Sequence, residues 1–93
     1  MEPKPSFPIP TSGKLRIIDK GPGLFDVECS DLNTADHQLL YGFFGQMGGR
    51  YREFHFEYNN IVHPKCRFDS DSVDFVSHSP NRHSVILPMK VLR

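Results

Sequence analysis

Between residues 33 and 58 the hydrophobic period changes from that of a helix to that of a strand, and the change falls on a pair of glycines. Ala35, Leu39, Leu40, Phe43, Phe44 and Met47 recur at helical spacing and cover about half a cylinder. Phe54, Phe56 and Tyr58 then alternate with Glu53, His55 and Glu57, as in a strand with one wet face. Gly48-Gly49 lies between the two patterns, where a left-handed residue ends a helix without a Cβ clash. Asn33 is placed to cap the helix, and Asp36 to return the hydrogen bond from its first turn. A chain with this switch needs a helix packed on a sheet.

The flanking segments read as strands. Leu15 to Ile18 is a short one, followed by a turn at Lys20-Gly21-Pro22-Gly23. In Leu24 to Ser30, Phe25, Val27 and Cys29 share one face and Asp26, Glu28 and Ser30 the other. Asn59-Asn60 and His63-Pro64 mark a loop that extends to Lys65. Cys66 to Phe68 and Val73 to Val76 are brief strands, and Ser84 to Leu92 is the last. Pro88 lies inside that last strand, which predicts an edge position or a bulge. The order is ββαββββ with short connections. This predicts an α+β domain: a bent antiparallel sheet, or a small barrel or sandwich, with one helix packed on it.

Four prolines in the first ten residues predict an extended arm over 1–13, with the single domain running from 14 to 93. Phe7 and Ile9 are its candidate anchors, on the parent domain or on a neighbouring subunit. The segment has no apolar core of the kind a signal peptide carries. No apolar run approaches the ~18 residues of a membrane span. Eleven basic and eleven acidic side chains balance to a net charge of zero, without the basic excess usual for nucleic-acid binding. A soluble protein in a reducing cytosol is expected, with Cys29 and Cys66 as buried free thiols.

Each constellation that could carry catalysis or a metal has a plainer reading. His63, Cys66, His78 and His83 approach zinc-finger spacing, but Pro80 interrupts the helix that the distal pair would need. Asp69, Asp71 and Asp74 lack the Gly and terminal Glu of a calcium loop and read as a solvated turn. No nucleophile elbow or phosphate loop is present. The expectation is therefore no catalytic residue, no metal and no cofactor.

Surface contacts are the better candidates. Gly42 and Gly45 lie opposite the apolar stripe of the helix, each at about 1 kcal/mol of helix propensity relative to Ala. With Tyr41 they outline a shallow patch that another chain can approach. Arg50, Tyr51 and Arg52 follow the helix, with Arg50 near the negative end of its dipole. Asn59 and Asn60 complete the candidate interface set.

The order of these phrases resembles the minor tail proteins of long-tailed bacteriophages and prophages. The likeness is carried by Ser6-Phe7-Pro8 and the Thr11-Ser12-Gly13 turn, then Leu32, Asp36, Leu39 and Phe43-Phe44. It continues through Gly48-Gly49-Arg50-Tyr51, Phe54-His55-Phe56, Pro64, Cys66-Arg67-Phe68 and Ser70-Asp71. It covers residues 30 to 93 well and the first thirty poorly. Members of the family usually carry a longer front half, a Trp before the helix, and Asp-Pro where this chain has Asn59-Asn60. The resemblance implies a structural virion protein of the tail tip, assembled in the bacterial host cytoplasm. It implies a homo-oligomeric ring joining the tail tube to distal tail proteins, with no nucleic-acid, membrane or small-molecule partner. The short front half leaves open whether a neighbouring subunit supplies the missing edge. The alternative is a small barrel that binds a peptide or single-stranded nucleic acid through Tyr51, Arg52, Phe54 and Phe56. Binding of the second kind would be salt-sensitive.

Overall fold

The structure is a computed structural model that describes residues 4–92. The first three residues of the arm, and Arg93 of the domain, lie outside the described residues. The elements are β1 (Lys14–Gly21), β2 (Leu24–Leu32), α1 (Thr34–Met47), β3 (Phe54–Tyr58), β4 (Ile61–Phe68), β5 (Phe75–Ser79) and β6 (Arg82–Val91). All the strand pairings are antiparallel and form one sheet in the order β1-β2-β6-β4-β3, with β5 on the flank of β6. The α+β class and the ββαββββ order match the sequence expectation.

Period-two alternation decides which face is inside. Phe25, Val27 and Cys29 of β2, Phe54 and Phe56 of β3, Cys66 and Phe68 of β4, and Val85, Leu87 and Met89 of β6 all turn to one side. The helix covers that side with Leu40, Phe43 and Met47. Phe7 of the arm is also part of this core, 5% exposed, with its ring centroid 5.7 Å from that of Phe43 and 5.4 Å from that of Phe56. Backbone bonds hold the arm alongside β3: Phe7 N–H donates to His55 O, and His55 N–H to Pro5 O, both at 2.8 Å. The arm is thus a packed part of the domain.

Several boundaries differ from the sequence expectation. The buried stripe of α1 is narrower than predicted, because the helix crosses β2 and β6 on one line of residues; Ala35 and Leu39 are exposed. The loop expected over Asn59 to Lys65 is a tight hairpin. Asn59 (φ 48°) and Asn60 (φ 68°) form its two-residue turn, and Ile61 onward is strand. Strand β5 begins at Phe75, two residues after the expected Val73.

Pro88 is on neither an edge nor a bulge; β6 is the central strand. On one flank it pairs along its length with β2, and on the other it is shared by β5, up to Val85, and β4, from Met89. Pro88 faces the gap between those two partners, where its carbonyl accepts from Asp69 N–H at 2.8 Å. The missing N–H of Pro88 turns to the same side, one step past the last β4–β6 pair at Phe68 and Met89, where the ladder is ending.

The helix start is clamped by three segments. Asn33 Oδ1 accepts from Asp36 N–H at 2.8 Å, as a capping residue should. The reciprocal bond expected from the Asp36 carboxylate is relayed instead. Ser12 Oγ accepts from Asn33 N–H at 3.0 Å and donates to Asp36 Oδ2, which also accepts from Ser12 N–H at 2.8 Å. From the β5–β6 turn, Asn81 Oδ1 accepts from Thr34 N–H at 3.0 Å. At the other end Gly48 caps the helix in the left-handed region, as predicted.

Candidate assembly surface

Strand β1 is the last strand of the sheet on its side and pairs only with β2 among the described residues. Leu15 and Ile17 lie opposite Cys29 and Val27 and therefore on the core face, yet both stay half-buried. The helix packs on β2 and β6 and leaves this margin of the core uncovered. Lys14, Arg16 and Ile18 occupy the other face, opposite Ser30, Glu28 and Asp26, and Lys20 reaches Asp26 there at 3.3 Å. Next to the core-facing margin opens a cavity of about 410 Å³, lined mainly by Ile17, Leu24, Phe25, Ile61, His63 and Val91. The β1–β2 turn and the β3–β4 hairpin approach each other across it. His63 is held there by ring contacts with Phe25 (5.3 Å) and Phe56 (6.3 Å).

The helix presents a second surface. A Cβ on Gly42 or Gly45 would meet no heavy atom within 4 Å. Gly42 lies in a groove between helix and arm with Leu39, Gln46, Ser6 and Pro8. Gly45 lies in another, with Phe44, Val73 and Phe75. Tyr41, 62% exposed, packs its ring edge-on to Phe75 at 5.2 Å between centroids.

The residues after the helix divide between solvent and an internal tie. Tyr51 is 80% exposed and Arg52 is exposed. Arg50 is not left facing the helix dipole. Its guanidinium meets Asp71 Oδ2 at 3.0 Å and its N–H donates to Asp71 Oδ1 at 3.1 Å. That bidentate contact holds the Asp71 carboxyl below the usual carboxylate range and raises Arg50 further. Of the remaining predicted contacts, Phe7 lies in the core, Ile9 packs against it, and Asn59 and Asn60 form an exposed hairpin tip. The set thus falls on four parts of the molecule: helix face, the segment after the helix, arm and hairpin tip. The β1 margin and its cavity, absent from that set, had one sequence signal: Lys14 and Arg16 alternating with Leu15 and Ile17.

Other expected or weighed chemistry is dispersed. Phe54 and Phe56 are fully buried, so they form no stacking platform for bases, as the nucleic-acid alternative required. Cys66 is buried beside Met89, His78 Nε2 lies 2.9 Å from Ser84 Oγ, and His83 contacts Ser77 and Thr34. Among the described residues no three His, Cys, Asp or Glu side chains group as metal ligands, and no helix is long and apolar enough to cross a membrane. Comparison of the chain with family models, curated proteins and solved structures gave no match in any of the three.

Proposed function

We propose that the chain is a structural subunit of a phage-type tail tip, working by protein–protein contact and without a catalytic step. The observation that carries this reading is the open β1 margin: an eight-residue edge strand with half-covered Leu15 and Ile17 beside a cavity of about 410 Å³. An edge of that kind offers backbone donors and acceptors to another strand. A strand from a neighbour would extend the sheet toward a barrel and cover the exposed rim of the core. The helix face at Tyr41, Gly42 and Gly45 is the second contact. The tail assignment itself comes from the phrase order between residues 30 and 93. On this reading the protein works in the virion tail after assembly in the host cytoplasm. The peptide-binding alternative shares the β1 margin and differs in its partner.

The deciding experiment is the absolute mass in solution over a concentration series, by light scattering behind a sizing column, with electron microscopy of any large species. Discrete rings are expected. A strict monomer at the highest concentration, unchanged by co-expressed tail proteins, would sink the reading and favour the peptide-binding module.

A further inference from the structure

We infer that the β1 edge receives an extended acidic segment of another polypeptide, one that alternates acidic and apolar residues. The inference rests on the reading of this margin as an assembly surface and names what fits it.

Two faces of one strand set the requirement. Any strand laid against β1 continues its alternation, with successive side chains on opposite faces of the sheet. On the core face the newcomer must bring apolar side chains to cover Leu15 and Ile17, and beyond Ile17 it reaches the cavity, where Asp19 accepts from Gly21 N–H. On the wet face it meets Lys14, Arg16 and Ile18, with Lys20 at the bulge beyond them; on β2 Glu28 stands opposite Arg16. Lys20 has Asp26, whereas Lys14 and Arg16 make no ion pair among the described residues. Carboxylates at the two positions opposite Lys14 and Arg16 answer that face.

A second copy of β1 does not meet the requirement. Antiparallel pairing of two β1 strands with like faces together sets Lys14 against Arg16, Arg16 against Arg16, Lys14 against Lys20, or Arg16 against Lys20, according to register. Like charges directly opposite destabilise a pair of strands. Another sheet edge, β3, carries Glu57 on its wet face with Glu53 just before it, but the arm already occupies it through the bonds of Pro5 and Phe7 to His55. That arm shows within one molecule how an extended segment closes an edge, with one apolar side chain driven into the core. The β1 margin has no such cover.

The test uses the full chain and a short blocked peptide of alternating glutamate and valine, followed by amide chemical shifts. Shifts are expected at Lys14 to Gly21 and around Ile61 and His63. A lysine–valine counterpart should bind about tenfold more weakly, as two or three opposed charge pairs would give. Methylating alternate peptide nitrogens should abolish binding, because the backbone bonds are lost. Arg16→Glu, with Lys14→Glu as a second variant at an equally exposed site, should narrow or reverse the preference between peptides. Equal binding of the two peptides, shifts elsewhere, or no shifts at millimolar peptide would overturn the inference. Light scattering without peptide separates that failure from failure of the assembly reading.

Discussion

The imidazoles of His37 and His83 stack face to face, with centroids 4.2 Å apart and planes within 8°. His37 comes from the first turns of α1 and His83 from the start of β6, so the stack joins helix to central strand. Thr34 Oγ1 donates to Pro80 O at 3.0 Å and must accept from His83 Nε2 at 3.1 Å, which places the His83 proton on Nε2. Ser77 Oγ, 2.9 Å from Nδ1, then donates to it. His37 Nε2 is buried without a partner. A neutral His37 suits this buried stack, and a charged one, with an Nε2 proton that finds no acceptor, opposes it.

Stability should therefore fall on mild acidification. Burial first, and the adjacent His83 second, hold His37 below its ordinary value of 6.5. As pH drops through 6.5 the unfolded chain takes up the proton before the folded one does, so the stabilisation is complete above that value and is lost below it. Urea midpoints at about pH 7.5 and about pH 5.5 measure the loss. His37→Phe should retain the packing on Phe75 and reduce the difference. An equal difference in the variant would assign the titration elsewhere.

Ser12→Ala removes the hydroxyl that links Asn33 N–H to the Asp36 carboxylate. A loss of about 1–2 kcal/mol is expected from the broken cap and the buried groups left without partners. Asp36→Ala should cost a similar amount, and the double variant less than the sum, since both act on one network. The Ser12 contacts hold Asp36 below its ordinary 3.8, so its contribution is present above that value and is lost as pH falls below it. Additive losses would show that Ser12 and Asp36 act independently.

Alanine at two kinds of glycine should have opposite effects. At Gly42 and Gly45 the added Cβ meets open space, and each variant should gain up to about 1 kcal/mol of helix propensity. At Gly49, with φ 62°, the same atom would come within 2.9 Å of Asp71 Cα, against the loop that Arg50 pins. That variant should be destabilised by at least about 1 kcal/mol. Thermal melts separate the two signs. If the stabilised Gly42→Ala and Gly45→Ala proteins also assemble as before, the helix face is not an interface.

Much of the core was legible because alternation is a local signal. Phe25, Val27 and Cys29 had to share a face whatever the topology, and Gly48 could end the helix from sequence alone. The parts that were not legible depend on residues distant in the chain. The Ser12 relay joins positions 24 apart, and nothing near Asp36 announces it. Pro88 reads as an edge residue until the shared flank of β6 is known. The narrow stripe of α1 follows from how the helix crosses the sheet, so Leu39 looked as apolar as Leu40. The open margin at β1 had a pattern too short to distinguish a half-covered strand from an ordinary one.

Phe7→Ala tests whether the arm belongs to the fold. The ring lies within 6.5 Å, centroid to centroid, of Phe43, Phe54, Phe56 and Phe68, so truncation leaves a cavity at the centre of an aromatic cluster. Such a change costs about 3–5 kcal/mol, a large part of the whole stability of a domain this size. Denaturant titration should show that loss, with hydrogen exchange accelerated at Phe7 and His55. A loss under about 1 kcal/mol would mean that the arm is an appendage.

Cys29 and Cys66 should behave as inert, separate thiols. Burial drives both up to about 12, reinforced at Cys29 by Glu28 and partly opposed at Cys66 by a backbone hydrogen bond from Arg67. Only a trace of thiolate then exists near neutrality, and the thiolate is the nucleophile. The pair also lies too far apart to bridge. Cys29 registers with Val85 and Cys66 with Val91, and six residues along β6 amount to roughly 20 Å. Alkylation followed by mass spectrometry should find both thiols protected in the folded protein and both free in urea, before and after exposure to oxidant. Rapid modification of either thiol in the folded state would contradict the packing of β2 and β4 described above, since no reagent reaches those sulfurs without the strands parting.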